Sequence, residues 1–328
     1  MSRLAPTLLL ALASAACGHR DAPPACPADG YPAPALRSAG CTPGPNWLAY
    51  AFTKEGTSSP ALFIGKADGS CIQRATTDSA YYGGPAFFPG GRKLVYASTR
   101  SGLNQLYVRD LESGVETKVE TTYAFGSPPA APETLTAATP AVSPDGTTIA
   151  FEGGLTAYPG WSDVFTVPAA GGNVVRVTHD PAAATLPRWS VDGTRLYFLS
   201  YQSGAAEIGS VKPDGTAESP VTSGSALSSK FNLSGDGQAL VYARHAATGV
   251  GARPTELVAQ DLATGAIRVI SSANEADPAV DAASSSVAVS RRTAAGGYDL
   301  YLLDYGSGAV KQQLTACPGQ AFGASLAR

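Results

Sequence analysis

The fold is decided by a stretch that begins Pro140-Ala141-Val142-Ser143-Pro144-Asp145-Gly146 and continues as Thr148-Ile149-Ala150-Phe151, Asp163-Val164-Phe165-Thr166-Val167 and, after Gly171-Gly172, Val174-Val175-Arg176-Val177-Thr178. Each apolar segment has the length of a β-strand. The Asp-Gly and Gly-Gly pairs suit tight hairpin turns, because glycine tolerates positive φ. The stretch therefore predicts four antiparallel strands joined by short connections.

The same pattern recurs from Trp47 onward. Its second strand occurs six times, at spacings mostly in the mid-forties, as Trp47-Leu48-Ala49-Tyr50-Ala51-Phe52, Lys93-Leu94-Val95-Tyr96-Ala97-Ser98, Thr148-Ile149-Ala150-Phe151, Arg195-Leu196-Tyr197-Phe198-Leu199, Ala239-Leu240-Val241-Tyr242-Ala243 and Ser286-Val287-Ala288-Val289. A third strand follows each of them, as in Gln105-Leu106-Tyr107-Val108. A four-stranded unit at this period predicts an all-β, six-bladed β-propeller with four-stranded blades.

The first strand of the repeat is not evident before Trp47, although the other five units have one, as in Pro187-Arg188-Trp189-Ser190. Residues 321–327 at the end of the chain have the character of such a strand. We expect them to pair with the first unit, because closing the ring removes exposed strand edges. Residues 32–37 are the alternative candidate for this position.

The composition supports short strands and tight turns. The 328 residues include 36 glycines and 25 prolines, and only 15% are charged. No window shows the sustained periodicity of a helix. The formal net charge is −3, without a basic stripe, so the electrostatic surface expected of a nucleic-acid-binding protein is missing.

The first residues have the pattern of an export signal. Arg3 precedes an apolar run at residues 8–12 and small residues at 13–16, too short to span a membrane as a mature helix. We expect a signal peptide at residues 1–16, a Pro- and Ala-rich tether at 17–42 and the propeller at 43–328. Cys17 resembles the lipidated cysteine of a bacterial lipoprotein, and ordinary cleavage after Ala15 or Ala16 is the alternative. With Gly18 in the next position, the lipoprotein interpretation predicts a periplasmic protein anchored to the outer membrane.

The five cysteines predict disulfides rather than a metal or redox site, since no Cys-x-x-Cys pair is present. With Cys17 set aside, an even number remains in an exported chain: Cys26, Cys41, Cys71 and Cys317. Three connectivities are possible. The strand topology places Cys41 and Cys71 at one end of the propeller and Cys317 at the other, which favours Cys41 with Cys71 and Cys26 with Cys317.

Three stretches resemble the propeller repeat of the TolB family. They are residues 140–151, 187–198 and 85–96, and residues 98–110 continue the last of them. The resemblance covers the chain from Trp47 to Arg328. It implies a propeller fold and a periplasmic protein-binding role.

The longest insertions of the repeat all project from one end of the predicted propeller, at residues 121–139, 153–162 and 244–255. Their aromatic residues are candidates for partner binding, because rings on loops of a rigid scaffold are typical of recognition surfaces: Tyr123, Phe125, Tyr158 and Trp161. The alternative is that these rings fold back onto the blades beneath them, since a long loop must bury something to stay ordered.

Three arginines end second strands at the same face: Arg100, Arg244 and Arg291. They are candidates for binding an anionic or carboxylate-bearing partner. The alternative is that they brace neighbouring loops.

Two classes of function fit these features. The first is a monomeric, non-enzymatic scaffold without cofactor or metal, which binds an envelope protein or peptide through its loop-rich face or axial tunnel. The second is a periplasmic carbohydrate-active or hydrolytic enzyme with Asp163, Glu152 or Glu207 as a close carboxylate pair at the axis. We favour the first, because the repeat spreads these carboxylates around the ring. The dispersed Asp-Gly pairs at 145, 192 and 236 are interpreted as turns rather than as calcium ligands.

Overall fold

The computed structural model describes residues 41–76, 82–123, 135–155, 160–179, 182–224, 227–245 and 255–327. Its regular structure over these residues is entirely β. The described part of the chain contains no helix with the length and apolar composition needed to cross a bilayer. The predicted signal peptide and tether, apart from Cys41 and Thr42, lie outside the described residues.

The strands are short and follow one another closely. The first part of the chain forms β1 (Trp47–Lys54), β2 (Ala61–Lys66), β3 (Gln73–Arg74), β4 (Tyr82–Phe87), β5 (Lys93–Ser98), β6 (Gln105–Asp110), β7 (Glu116–Lys118) and β8 (Thr121–Thr122). The middle forms β9 (Leu135–Val142), β10 (Thr148–Leu155), β11 (Asp163–Pro168), β12 (Gly172–Asn173), β13 (Val175–Arg176), β14 (Ala184–Trp189), β15 (Leu196–Ser200), β16 (Glu207–Val211) and β17 (Ser219–Pro220). The last part forms β18 (Leu227–Leu233), β19 (Ala239–His245), β20 (Thr255–Asp261), β21 (Ile267–Ser271), β22 (Glu275–Val280), β23 (Ser286–Arg292), β24 (Tyr298–Asp304), β25 (Val310–Gln313) and β26 (Gly319–Leu326).

Consecutive strands pair antiparallel into small sheets. Four of the sheets have four strands each, in the orders β4-β5-β6-β7, β9-β10-β11-β13, β14-β15-β16-β17 and β18-β19-β20-β21. The units β22-β23-β24-β25 and β26-β1-β2-β3 are joined into one sheet by a parallel contact between Tyr298 and Gln320. A further pair, β8 with β12, is parallel and links the second unit to the outer turn of the third.

The C-terminal strand lies beside the first strand of the fold. β26 pairs antiparallel with β1, from Leu48 opposite Leu326 to Lys54 opposite Gly319. The backbone N–H of Ala327 donates to the carbonyl of Trp47 at 2.7 Å and extends this pairing by one bond. Residues 32–37, the competing candidate for this position, lie outside the described residues.

The innermost strand of each unit contains a β-bulge, visible as a register shift in β4, β9, β14, β18, β22 and β26. In five of these strands the bulge coincides with a positive φ, at Gly84, Thr139, Leu186, Asp277 and Gly323. In four strands a proline follows directly. Because proline has no N–H to give to a ladder, a bulge is where such a strand accommodates it.

The hydrophobic core lies between the faces of neighbouring sheets. The second strands are buried on both sides, as in β1, where the first six residues, from Trp47 to Phe52, are buried. Trp47 is 2% exposed, as expected for a core residue. Trp189 is partly buried, and its indole N–H donates to the carbonyl of Ala141 at 3.2 Å, which ties the fourth unit to the third.

A disulfide joins Cys41 to Cys71, with the two Cα atoms 5.5 Å apart. It connects the segment before β1 to the turn between β2 and β3. Cys317 is also disulfide-bonded. Cys26 lies outside the described residues, so its pairing with Cys317 stays a prediction.

Candidate functional site

The insertions of the repeat are shorter than the sequence suggested. β9 begins at Leu135 and β10 extends to Leu155, so parts of the two insertions assigned to 121–139 and 153–162 are strand. The sequence placed the start of β9 too late because Pro140 looked like the beginning of a strand. The bulge at Thr139 lets the strand continue upstream of that proline.

The two described aromatic candidates pack onto the sheet beneath them. The rings of Tyr123 and Trp161 both meet Phe165 edge to face, with centroid distances of 5.4 and 6.1 Å. The guanidinium of Arg176 lies 4.9 Å from the centroid of the Trp161 ring. The structure thus places these rings in the folded-back arrangement. Phe125 and Tyr158 lie outside the described residues.

Arg100 belongs to a charged cluster on the second unit. Its guanidinium donates to Glu116, and Arg109 Nη1 donates to the other carboxylate oxygen at 2.9 Å. Burial alone would raise the pKa of Glu116, but hydrogen bonds from Arg100, Tyr96 and Arg109 hold that pKa below its usual value. Arg100 also lies 4.5 Å from the centroid of the Tyr107 ring.

Arg244 and Arg291 have the same kind of partner. Arg244 Nη2 lies 3.2 Å from Glu256, its neighbour across β19 and β20. Arg291 Nη2 lies 2.6 Å from Glu275, its neighbour across β22 and β23. All three candidate arginines are therefore placed against carboxylates of their own sheets, the bracing arrangement considered as an alternative.

The carboxylates weighed for catalysis do not converge. Glu152 is opposite Val164 in the β10–β11 register, while Asp163 is opposite Gly153. Since directly opposed residues share a face of a sheet, Glu152 and Asp163 point to opposite faces. Glu207 lies on β16, in the next unit. Burial raises the pKa of Glu152 and also that of Asp163, so the two groups are shifted in the same direction rather than apart.

Asp163, Glu207 and Asp299, the acid at the equivalent position of the last unit, each accept a bond from a threonine that lies two residues after the fourth strand. Thr178 donates to Asp163 at 2.6 Å, Thr222 to Glu207 at 2.6 Å, and Thr315 to Asp299 at 3.1 Å. The same hydroxyls accept the N–H of the residue after each acid. The recurring pairs Val177-Thr178, Val221-Thr222 and Leu314-Thr315 could have revealed this brace in the sequence.

The Asp-Gly turns are closed by the aspartate side chains. Asp145 accepts bonds from the Ser143 hydroxyl at 2.5 Å and from the Thr147 N–H at 3.0 Å, and these bonds lower its pKa. Asp192 and Asp236 repeat the arrangement. Among the described residues, no three His, Cys, Asp or Glu side chains are grouped so that they could hold a metal ion.

Two exposed apolar side chains lie on the face that carries the insertions. The connections β1–β2, β5–β6, β15–β16 and β23–β24 all lie at the same end of their sheets. We name this end the loop face. Leu103, in the β5–β6 connection, is 39% exposed, and Tyr201, after β15, is 41% exposed. Sequence analysis missed both, because a single apolar residue in a polar turn carries no periodic signal.

A cavity of about 350 Å³ lies between the innermost strands, near the opposite end. Residues of β4, β9, β14, β18, β22 and β26 all line it. We name that end the turn face, after the β4–β5, β9–β10, β14–β15, β18–β19 and β22–β23 connections. The described residues thus form an exposed loop face and a separate cavity between the innermost strands.

The repeat and its bulged inner strands match a known domain. The family model described as the TolB beta propeller domain matches residues 129–325. The chain belongs to this TolB β-propeller family. A curated relative, a protein TolB homolog from Chlorobium luteolum, is 28% identical over 156 residues, which are 47% of this chain and 32% of the relative. The match thus covers about a third of the length of that relative.

Solved TolB structures share the fold. TolB from Acinetobacter baumannii aligns with a TM-score of 0.71 and 20% identity, over 86% of this chain and 66% of that one. The structure described as putative TolB from Agrobacterium tumefaciens aligns with a TM-score of 0.63 and 18% identity, over 84% of this chain and 91% of that one. At these identities the likeness concerns the fold.

Proposed function

We propose that the units of this TolB-like domain are the six blades of one closed ring, with β26, β1, β2 and β3 as one blade. Support comes from the buried clusters, which lie between each pair of consecutive units around the chain. A further cluster packs Ala288 and Leu300 of the last unit against Tyr50 and Phe63 of the first. The innermost strands also contact one another in cyclic order, β26 with β4 at one end and with β22 at the other.

We propose that the protein is a non-enzymatic scaffold that binds an envelope protein or peptide through its loop face. This proposal rests on the partners of the side chains considered for catalysis and for anion binding, which lie within the same sheets. Asp163 and Glu207 accept hydrogen bonds from threonines, and the three arginines pair with carboxylates of their own sheets. General acid-base hydrolysis needs two carboxylates that face each other across a substrate. The arrangement offers a rigid body with exposed loops instead.

We further propose that residues 1–16 are a signal peptide and that lipid on Cys17 holds the domain (residues 43–328), through its tether (17–42), on the periplasmic side of the outer membrane. Cells fed an alkyne analogue of palmitate are expected to label the full chain and Cys26→Ser but not Cys17→Ser, because lipidation requires the Cys17 thiol. Labelling is read on a gel after click conjugation. Equal labelling of Cys17→Ser would show that the lipid is attached elsewhere, and no labelling of the unchanged chain would show that it is absent.

The loop face is tested by changing Leu103 and Tyr201 to arginine together. If they contact the partner, capture by crosslinking in intact cells should fall at least about tenfold, because buried aromatic and apolar contacts carry most of the energy of an interface. The matched control is Val115→Arg, which alters a 61% exposed residue between β6 and β7, at the other end of the sheets. Capture is measured by mass spectrometry of the crosslinked species.

Circular dichroism of both variants verifies that they are folded. Unchanged capture by the double variant, or an equal loss in Val115→Arg, would contradict a partner site on the loop face.

A further inference from the structure

The cavity between the innermost strands lies along the axis of the proposed ring, and we name it the axial cavity. It has the size and the lining of a small-molecule site. Its volume of about 350 Å³ falls within the usual range of ligand pockets. It extends from the level of the bulges, where Gly84, Thr139 and Leu186 line it, to the turns that follow the inner strands, where Pro89 and Pro144 line it. Strands from every unit of the fold line it, and a pocket built on such a scaffold is largely formed before a ligand arrives.

The walls of the cavity are mainly apolar. Phe88, Val142, Leu186, Trp189 and Val280 contribute to them. Ala282 and Ala324 line the cavity with small side chains and leave its volume open. This lining suits the apolar body of an organic molecule.

Three of the residues that line the cavity are charged: Arg188, Lys230 and Asp277. The lining therefore contains two cations and one anion. Lys230 Nζ is 3.7 Å from Asp277 Oδ2, and the N–H of Gly323 donates to the same oxygen at 3.4 Å. Arg188 Nη1 donates to the carbonyl of Pro187 at 2.8 Å. The two cations and one anion among the lining side chains give this part of the cavity a net positive formal charge.

Glu152, on β10, is a further acid that interacts with this group. It accepts a hydrogen bond from Thr139 at 3.1 Å and interacts electrostatically with Lys230, but it does not line the cavity. Burial raises the pKa of Glu152, and the nearby charge of Lys230 opposes that shift.

We infer that the axial cavity binds a small organic anion, with an apolar body against the walls and one carboxylate or sulfonate group beside Arg188 and Lys230. Such a group forms charge-assisted hydrogen bonds with these cations, in surroundings where water competes weakly. The site is distinct from the proposed partner surface, because it lies toward the turn face, away from Leu103 and Tyr201. Either inference can fail without the other.

The probe is 8-anilinonaphthalene-1-sulfonate, and its uncharged control is N-phenyl-1-naphthylamine. Both fluoresce in apolar surroundings, and only the first carries an anion. In equilibrium fluorescence titrations of the full exported chain, we expect saturable binding of one sulfonate probe per chain. Lys230→Gln should weaken this binding about tenfold and change binding of the neutral probe little, because one charge-assisted bond is lost. Lys118→Gln, on the outer strand β7, should change neither.

Two cavity-filling variants distinguish the site from adventitious binding. Ala324→Trp places a bulky ring on the wall, and Ala282→Trp places one at an exposed position in the turn that follows β22. Each should abolish binding of both probes while cooperative unfolding in urea, followed by far-ultraviolet circular dichroism, stays native. If both folded variants bind the sulfonate probe normally, or if Lys230→Gln affects the two probes equally, the inference is wrong.

Competition then distinguishes two sources of the anion. Dodecanoate represents a free monocarboxylate, and an apolar tripeptide with a free C-terminus represents a peptide carboxylate, with its amidated form as the control. Displacement of the sulfonate probe by either carboxylate supports the inference and names the source. Displacement by neither, or equally by the amidated peptide, would overturn it.

Discussion

Deletion of residues 321–328 is expected to abolish cooperative folding. The deletion removes most of β26, including the buried residues Ala321, Leu326 and Ala327. It also exposes the backbone edge of β1, whose residues from Leu48 to Lys54 pair with β26. The lost apolar burial and backbone bonds are comparable with the whole stability of a domain, about 5 to 15 kcal/mol. We expect aggregated protein, or no sigmoidal transition in urea followed by circular dichroism.

A circular permutant is the matched control for this deletion. The C-terminal end of the described chain lies beside the start of β1, because the Ala327 N–H donates to the Trp47 carbonyl at 2.7 Å, and the segment from Cys41 to Asn46 can span the remaining gap. Joining Ala327 to Cys41 and opening the chain at Gly296, between β23 and β24, keeps every strand and the Cys41–Cys71 bond. The permutant should fold cooperatively. A truncated chain that is soluble and has an unchanged unfolding midpoint would show that the fold does not depend on β26 and would contradict the proposed ring closure.

The repeat could be recognised from sequence because strand and turn signals are local. The stretch from Trp47 to Phe52 was expected to be a strand, and β1 runs from Trp47 to Lys54. The inner strands were harder, because their prolines looked like strand starts. Pro187 looks like the beginning of a strand, yet β14 begins at Ala184 and passes the proline through a bulge at Leu186.

The candidate site was harder to predict from the sequence, because it depends on which side chains contact one another across the sheets. Sequence alone does not show that Tyr123 and Trp161 share Phe165 as a neighbour. The arginine partners were accessible in principle, since Arg244 and Glu256 are opposed in one hairpin. A cavity formed by six strands that are far apart in the sequence has no local signal, and nothing in the sequence around Lys230 indicates that it lines this cavity.

Arg291→Met is expected to lower the free energy of unfolding by about 3 to 5 kcal/mol, because it leaves a buried carboxylate without its cation. The side chain of Glu275 is fully buried and lies 2.6 Å from Arg291 Nη2. Its other donors are neutral: the Ser271 hydroxyl at 2.7 Å and the Ala273 N–H at 3.0 Å. Two neutral bonds do not replace the charge of the guanidinium. Equilibrium unfolding in guanidinium chloride measures the loss.

Arg292→Met is the matched control, because Arg292 follows directly on β23 and is exposed. Its change should stay within about 0.5 kcal/mol, as for most surface substitutions. The double variant Arg291→Met with Glu275→Gln should recover part of the loss, since removing both charges also removes the cost of burying an unpaired one. If Arg291→Met behaves like Arg292→Met, the pair does not stabilise the blade, and Arg291 is free to serve a partner on the loop face instead.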